Sequence, residues 1–496
     1  MNMSQFYTTQ DHFTIVPAVM LALFGCAVLL FDFLIFPDPR QRKWLLIFVG
    51  LAEAFTGYGL YRQSAWLASQ GAAEVTGFQG SITVDGFGIF FNWIFLIAAL
   101  VVALVSYKYL EIAGEHHGEY YGLILFAQCG MYFLATGSDL VTLFIGLELM
   151  ALSFYVMVGF LRTEKRSNEA AIKYLLLGAF STGFLVYGFS LLYGIAGSTK
   201  LSEITAAVSQ RPAWDPVVFL AMATTAIGLL FKVSAAPFHM WAPDAYEGAP
   251  TTVTAYLSVA SKAASIAFLL RLFSGQGPFA LQSSREVWEP MMAAVAVLTL
   301  TLGNLAAIRQ TNIKRLLAYS SISHAGYMLL GLVAGNETGI LGIAVYVMVY
   351  TFMNLGAFLV LVALRRQNII GEELDDIAGL MQRSPGYAIL MLIFLLSLAG
   401  IPPTAGFLGK YYIFLALLQT KHYTLAVVAT LYVAVAIYYY FQIVRSMFVR
   451  EPSDQAAMAT TFGLRVTLAV TGTLTLLIGI YPDPFLQLAK TSSLFH

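Results

Sequence analysis

Seven ionisable side chains lie within or beside long apolar stretches of this chain, where a charge requires an explanation. The most central are Glu148, Lys232, Lys262 and Lys410. A second group consists of Lys173, His239 and His324. A charged group near the centre of a membrane helix costs about 2.5 to 3.5 kcal/mol on insertion scales, so such residues are rare and mark functional sites.

A buried lysine is suited to proton transfer. Burial disfavours the ammonium form, so a lysine in an apolar site can exchange a proton near neutral pH, whereas a nearby carboxylate stabilises the ammonium. If Glu148 and Lys232 form such a pair, moving the carboxylate loads or unloads the lysine, although the sequence does not show that they touch. For any single lysine the alternative is a side chain that reaches the membrane interface or neutralises a buried glutamate in a purely structural role.

The elements that hold these residues must be membrane helices. The chain has 496 residues, of which 59% are hydrophobic and 11% charged, with a mean hydropathy of +0.75; soluble proteins have roughly 25% charged residues. The net charge of zero gives no bulk attraction to nucleic acid. Cys26 and Cys129 lie far apart in apolar runs and indicate neither a disulfide framework nor a metal site. The N-terminus lacks the features of a cleaved signal and is expected to be a retained first span.

Hydropathy predicts an all-α polytopic membrane protein. A bilayer core about 30 Å thick needs about 20 apolar residues per helix, and cutting the chain at polar or Pro/Gly-rich breaks predicts about fourteen spans. The predicted spans are 13–36, 44–62, 87–109, 118–136, 138–161, 168–194, 216–234, 251–273, 289–308, 314–334, 339–365, 385–420, 423–449 and 461–481. The twelfth is too long for one simple span and contains "GIPPTAG", so we expect a broken helix there.

Basic residues predict the orientation of the chain. Connections after odd-numbered spans carry most of them: Arg40, Arg42, Lys43, Lys108, Arg162, Lys165, Arg166, Arg309, Lys314, Arg315, Arg365, Arg366, Arg383, Arg445 and Arg450. The basic side of a membrane protein is the cytoplasmic side. Both termini are therefore expected on the opposite, outer side.

Two interrupted segments suggest an internal repeat. "KVSAAPFHMWAPDAYEGAP" interrupts the seventh span and "LAGIPPTAGFLGKYY" the twelfth, five spans later. Since five is odd, spans 4–8 and 9–13 would form two five-helix repeats of opposite orientation, and paired breaks at corresponding positions point to a transport path. Simple structural kinks are the alternative. The predicted division is 1–110 (three N-terminal spans), 111–275 (first repeat), 276–450 (second, inverted repeat) and 451–496 (span fourteen and tail).

Four motifs resemble one known family over nearly the whole chain. They are "FKVSAAPFHMWAPDAYEGAPT", "IGLELMALSFYVM", "RQTNIKRLLAYSSISHAGYMLLG" and "GIPPTAGFLGKYYIF". They resemble the antiporter-like membrane subunits of respiratory complex I, the proton-pumping NADH:quinone oxidoreductase. The chain is most similar to the bacterial subunit N type, since it stops soon after span fourteen, where subunit L carries a long lateral helix, and since Lys410 stands where subunit M has a glutamate.

The resemblance implies roles for the site residues. Glu148 would set the state of Lys232, Lys262 would link two half-channels, and Lys410 would lie on the exit side. Lys173 would be an additional lysine near Glu148. His239 and His324 would carry protons between the lysines, or else be satisfied by backbone carbonyls. Two acids in the first two spans match no family role and are interpreted as packing or interface residues; they are Asp32 and Glu53.

The resemblance also implies partners, cofactors and location. The partners would be the other membrane and peripheral subunits of complex I, including neighbouring antiporter-like subunits, in the bacterial inner membrane. Flavin, iron–sulfur clusters, NADH and quinone are expected in those partners, since this chain has no dinucleotide motif, CxxC cluster or P-loop. Two alternatives remain: a subunit of a cation/proton antiporter or membrane-bound hydrogenase, and a scaffold that does not pump.

Overall fold

The computed structural model describes residues 7–36, 38, 41–212, 214–274, 285–365, 371–452, 458 and 460–491. Two of the basic residues used to predict orientation, Arg40 and Arg366, lie outside the described residues, as does the end of the predicted tail, 492–496. Within the described ranges the chain is almost entirely helical.

The helices follow one another with short connections. They are α1 (Thr9–Leu34), α2 (Leu45–Gln70), α3 (Gly86–Ala113), α4 (Glu119–Thr136), α5 (Leu140–Val158), α6 (Lys165–Ala196), α7 (Leu201–Ser209), α8 (Pro216–Lys232), α9 (Trp241–Gly248), α10 (Thr251–Tyr256), α11 (Lys262–Phe273), α12 (Arg285–Ala307), α13 (Ile313–Ala334), α14 (Glu337–Leu364), α15 (Leu380–Arg383), α16 (Pro385–Ala399), α17 (Ala405–Gln419), α18 (Tyr423–Val449), α19 (Phe462–Ile480) and α20 (Asp483–Thr491).

Eleven helical segments in the described ranges are long and apolar enough to cross a membrane. Three shorter apolar helices, α8, α16 and α17, occupy the places of the seventh and twelfth predicted spans. The prediction of a polytopic helical membrane protein is confirmed. The count of fourteen spans and the inverted repeat stay predictions.

A small hairpin between α2 and α3 departs from the all-α prediction. Strands β1 (Glu74–Gly77) and β2 (Ile82–Asp85) pair antiparallel, with Val75 opposite Val84. Both strands are rich in valine, threonine and isoleucine, the β-branched residues that favour extended backbone. This segment is too short and polar to affect the count of spans, and we expected only a loop there.

The first predicted break is present. Helix α8 ends at Lys232, and α9 begins at Trp241. The Ala236–Pro237 peptide bond between them is cis. At this helix end the Phe231 carbonyl accepts from the Ser234 backbone N–H at 3.0 Å and from the Trp241 indole nitrogen at 2.8 Å.

The second predicted break divides the long twelfth span into α16 and α17. Helix α16 ends at Ala399 and α17 begins at Ala405, with a cis Pro402–Pro403 bond between them. Proline has no backbone N–H and cannot continue a helix through its interior. The prediction that this span is a broken helix is confirmed.

A third interruption was not foreseen from the sequence. Residues Leu257–Ser261 form a π-helical turn between α10 and α11, directly before Lys262. Such wider turns are frequent at functional sites. No proline or glycine marks the position, so the sequence carries no local breaker.

The central helices are fully enclosed by protein. Every residue from 251 to 273 and from 339 to 364 is buried. The outer helices present wide apolar faces instead, as Leu176 and Phe180 on α6 show. Two layers result: a protein-lined interior that can hold polar groups, and an apolar exterior suited to lipid.

A buried ion pair ties the centre to the hairpin. Arg271, near the end of α11, donates to both carboxylate oxygens of Asp85, at 2.9 and 2.8 Å. Its Nε also donates to the Ala135 carbonyl at 2.8 Å. The arginine thereby joins α11, the end of β2 and the end of α4.

We expect Arg271→Met to destabilise the protein strongly. The change leaves the Asp85 carboxylate largely buried without its cation, and breaking a buried ion pair costs about 3–5 kcal/mol. The measurement is the thermal unfolding of the purified protein in detergent. Lys108→Ala is the matched control because Lys108 pairs with Glu111 on the exposed surface at 2.7 Å, where a pair is worth roughly 0–1 kcal/mol. An equal loss of thermal stability in both variants would contradict the role of Arg271 in joining α11, β2 and α4.

Candidate functional site

Lys232 lies at the first break and is held by a hydroxyl group. It is the last residue of α8 and is buried. Its ammonium donates to the Tyr155 hydroxyl at 3.3 Å and lies 5.6 Å from the centre of the same ring. The C-terminal end of a helix favours a cation. This lysine therefore sits in an apolar site with a neutral hydrogen-bond partner.

Glu148 lies near Lys232 without bonding to it. The Thr182 hydroxyl donates to the Glu148 carboxylate at 2.9 Å. Glu148 and Lys232 interact electrostatically, while the hydrogen bond of the lysine goes to Tyr155. Tyr155 was missed from the sequence, although it follows Glu148 by seven residues, a spacing that places both on one face of α5.

Lys262 follows the π-helical turn and bonds to α13. Its ammonium donates to the Ser321 backbone carbonyl at 2.6 Å and to the Ser321 hydroxyl at 2.5 Å. The Tyr246 hydroxyl lies 3.4 Å from the same serine hydroxyl. This lysine also is buried among neutral oxygens.

His324 lies on α13 between two tyrosines. Its Nδ1 is 2.6 Å from the Tyr346 hydroxyl and its Nε2 is 3.1 Å from the Tyr440 hydroxyl. Both ring nitrogens are therefore partnered by side-chain hydroxyls, and the alternative that backbone carbonyls satisfy this histidine is wrong. His324 interacts electrostatically with both Lys410 and Lys262.

Lys410 lies at the second break and bonds to the end of α16. Its ammonium donates to the Leu398 and Ala399 carbonyls at 3.0 and 2.7 Å and lies 5.1 Å from the centre of the Tyr327 ring. Gly400 follows with φ +85°, and a Cβ there would lie 2.8 Å from the Lys410 Cδ. Glycine both adopts this conformation and leaves room for the lysine stem.

Helix α13 connects the contacts of Lys262 with those of Lys410. Ser321, His324 and Tyr327 follow at three-residue spacing on α13 and therefore lie close together along the helix. Ser321 contacts Lys262, and Tyr327 contacts Lys410. We call Lys232, Lys262 and Lys410 the lysine line.

Lys173 and His239 lie outside these contacts. The Lys173 side chain is 46% exposed and pairs with Glu169 at 2.8 Å and Asp244 at 3.0 Å. Lys173, which the sequence analysis placed in the second group, reaches from α6 to α9 instead of into the bundle. His239 is half-buried in the first break, where it interacts with the Pro237 backbone, as the alternative role of this histidine expects, while its Nδ1 has no hydrogen-bond partner among the described residues.

Asp244 organises a charged cluster on α9. Besides Lys173, it pairs with Arg315 at 2.7 Å, and Arg315 reaches Glu247 at 2.9 Å. The cluster borders a polar cleft of about 260 Å³. Partial burial raises the pKa of Asp244, but the hydrogen bonds from Arg315 and Lys173 outweigh this effect and hold the pKa below its usual value.

The described ranges contain no group of three or more His, Cys, Asp or Glu side chains that could hold a metal ion. What the site offers instead is a set of buried amines, hydroxyls and one imidazole, groups that can bind and release protons.

Comparison with known proteins identifies close relatives. Residues 137–436 match the family described as NADH:quinone oxidoreductase/Mrp antiporter, TM. The chain is 80% identical over 490 residues to NADH-quinone oxidoreductase subunit N 2 of Solibacter usitatus (strain Ellin6076), covering 99% of each protein. It is 52% identical over 490 residues to NADH-quinone oxidoreductase subunit N 1 of Koribacter versatilis (strain Ellin345), covering 97% of this chain and 95% of the relative.

Among solved structures, a chain of respiratory complex I from Thermus thermophilus is similar to this protein. The TM-score is 0.77 and the sequence identity 31%, covering 96% of this chain and 99% of that one.

The Asp244 cluster predicts a dependence of stability on pH. A carboxyl group whose pKa is lowered on folding contributes stability above its unfolded pKa, about 3.9 for Asp, and loses it as the pH falls through the folded pKa. We therefore expect the melting temperature of the wild type to exceed that of Asp244→Asn near neutral pH and the difference to shrink below about pH 4. Asp375→Asn is the control, since Asp375 pairs with Arg450 while 84% exposed. A difference in melting temperature between the wild type and Asp244→Asn that stays constant from neutral pH to below about pH 4 would contradict the predicted pH dependence.

Proposed function

The chain belongs to the NADH-quinone oxidoreductase subunit N family, within the NADH:quinone oxidoreductase/Mrp antiporter family, and from that premise we propose that it translocates protons along the lysine line. It acts as a membrane-arm subunit of NADH:quinone oxidoreductase. The redox chemistry that drives the movement takes place in partner subunits, so this chain is a translocase component without a redox site of its own.

The hydrogen-bond partners of the three lysines, which are all neutral oxygens, carry this proposal. Within the described part of the chain, none of Lys232, Lys262 and Lys410 forms an ion pair with a carboxylate. Lys314, which is equally buried, pairs with Glu372 at 2.8 Å. A paired lysine is held as an ammonium, whereas a buried amine with neutral partners can release its proton.

The first step of the proposed mechanism takes place between α5 and α8. When the Glu148 carboxylate approaches Lys232, it stabilises the ammonium and loads a proton on the lysine. When the carboxylate moves away, the ammonium keeps only the Tyr155 hydroxyl and releases the proton. Redox energy reaches this pair as a conformational or electrostatic change.

The later steps follow α13. A proton released from Lys232 is taken up by Lys262, for which the carbonyl and the hydroxyl of Ser321 are acceptors. From Lys262 it passes by His324 and its two tyrosine hydroxyls to Lys410 at the second break. His239 is the proposed carrier at the first break, where its Nδ1 has no partner among the described residues. Lys173 takes a supporting role at the charged cluster.

The proposal includes the assembly around the chain. The partners are other membrane and peripheral subunits of the complex, with neighbouring antiporter-like subunits among them, in the bacterial inner membrane. NADH, flavin, iron–sulfur clusters and quinone belong to those partners, and this chain holds no cofactor. Both termini lie on the periplasmic side, and residues 111–275 and 276–450 form the two inverted repeats, which is supported by a break in each.

A second function is supported by the family description, which also names Mrp antiporters. In that case the chain would serve a cation/proton antiporter or a membrane-bound hydrogenase. Purification of the native assembly distinguishes the two. Partners with flavin and iron–sulfur centres support the respiratory enzyme, whereas a set of membrane proteins with salt-dependent proton exchange supports the antiporter.

We expect Lys232→Ala to reduce proton translocation sharply in the assembled complex. A positioned proton-transfer group contributes about 10²- to 10⁴-fold to a rate, so a loss of about tenfold or more is expected. The measurement is the proton gradient formed in vesicles during NADH oxidation. Lys200→Ala is the matched control, because the Lys200 side chain is partly exposed and 3.9 Å from Glu203. An intact Lys232→Ala complex that pumps normally would refute the lysine line, and the chain would then be a scaffold.

We expect Tyr155→Phe to impair the same step without unfolding the bundle. The phenyl ring retains the packing against Tyr174, whose ring centre lies 4.6 Å away, but Lys232 loses its hydroxyl partner. The loaded state then depends on Glu148 alone, and translocation should fall less than in Lys232→Ala. Tyr187→Phe on the exposed face of α6 serves as control. Vesicles in which both tyrosine variants pump equally well would exclude a role for this hydroxyl.

A further inference from the structure

Glu53 is a buried acid that the lysine line does not use. It lies on α2 and is 3% exposed. The other acid in the first two spans is different: Asp32 pairs with Arg42 at 2.8 Å and accepts the Gly118 backbone N–H at 3.0 Å. Asp32 therefore fits the interpretation as a packing residue, whereas Glu53 needs another explanation.

The Glu53 carboxyl group has one hydrogen-bond partner. The Gln128 amide on α4 donates to its Oε2 at 3.0 Å. Its Oε1 is buried and unpartnered, and within the described part of the chain no lysine, arginine or histidine pairs with it. An isolated carboxylate in such a place costs several kcal/mol, so the group is held as a neutral acid that carries a proton.

Other polar atoms close to Glu53 along the chain or in contact with it also lack partners. Thr56 and Gln63 follow on the same face of α2, and the Thr56 hydroxyl and the side-chain amide oxygens of Gln63 and Gln128 are buried without a partner. The stripe from Glu53 to Gln63 covers about 15 Å at the helical rise of 1.5 Å per residue. The two amide oxygens can only accept, so a protonated carboxyl adds an O–H donor to this set, whereas a carboxylate adds only further acceptors.

The same region borders the helix that carries Lys262. Tyr256, the last residue of α10, donates to the Ile124 carbonyl on α4 at 3.3 Å, one turn before Gln128. It also interacts electrostatically with Glu53. The π-helical turn begins directly after Tyr256 and ends directly before Lys262. Tyr256 thus interacts with the buried acid through its side chain and precedes, in the chain, the turn that leads to the central lysine.

We propose that Glu53 is a further proton-binding group of the translocation path, connected to Lys262 by way of the Tyr256 hydroxyl. The acid O–H bond breaks, the carboxylate remains on α2, and the Lys262 amine takes the proton and becomes an ammonium. Return of a proton to the carboxylate restores the neutral acid. This inference rests on the proposed function, because it adds a branch to the lysine line.

The test compares Glu53→Gln and Glu53→Asp in the assembled complex in vesicles. Glutamine keeps a neutral hydrogen-bonding group and cannot exchange a proton. We expect the complex with Glu53→Gln to assemble and oxidise NADH but to translocate fewer protons per NADH than the wild type. Glu53→Asp should translocate more protons per NADH than Glu53→Gln, because aspartate can still exchange a proton. Glu111→Gln is the matched control, since Glu111 pairs with Lys108 on the exposed surface. Undiminished translocation in Glu53→Gln would overturn the proposal.

Infrared difference spectroscopy during NADH oxidation gives a readout that a packing role would not change. The wild type should show a carboxylic-acid carbonyl band that shifts in D₂O, disappears in Glu53→Gln and moves in Glu53→Asp. A wild-type band that persists in both variants would overturn the proposal even if Glu53→Gln assembles poorly. If Lys232→Ala stops translocation while Glu53→Gln does not, the lysine line stands and only this inference fails.

Discussion

A lysine ammonium enclosed by membrane helices needs oxygen acceptors, and each lysine of the lysine line has acceptors of a different kind. Inside an intact helix the carbonyl groups already accept from N–H groups of the next turn, although each keeps a second lone pair. Lys410 uses the last carbonyl groups of α16. Lys232, at the end of α8, uses the Tyr155 hydroxyl on α5. Lys262 follows a π-helical turn, and its acceptors are the hydroxyl and the backbone carbonyl of Ser321 within α13.

Helix α13 makes the separate acceptor sites into one system. Its residues at three-residue spacing contact Lys262 through Ser321 and Lys410 through Tyr327, with His324 between them. These residues lie on a fully buried face, so their positions depend on packing and not on solvent. A small displacement of this one helix would change the surroundings of both lysines together, which couples the centre of the path to the second break.

The sequence predicted the features that depend on local composition. Apolar runs located the long helices, and Pro237 and Pro402 marked the two breaks. Features that depend on packing between distant segments could not be predicted in this way. The sequence placed Lys173 beside an apolar run, but it did not show that the Lys173 side chain pairs with Asp244 on α9. The Ser321 and Tyr155 partners of the lysines are contributed by other helices, and single-sequence periodicity does not report such pairing.

The buried ionisable side chains discussed above fall into two groups according to their partners. Arg271 with Asp85 and Lys314 with Glu372 are buried pairs in which each charge is neutralised, so neither can change its proton without leaving the other charge unpaired. Within the described residues, the lysine line and Glu53 form no such pair, and the Glu148 carboxylate interacts with Lys232 without bonding to it. Fixed pairs hold the helices in place, and in our proposal the groups outside such pairs are the ones whose protons move.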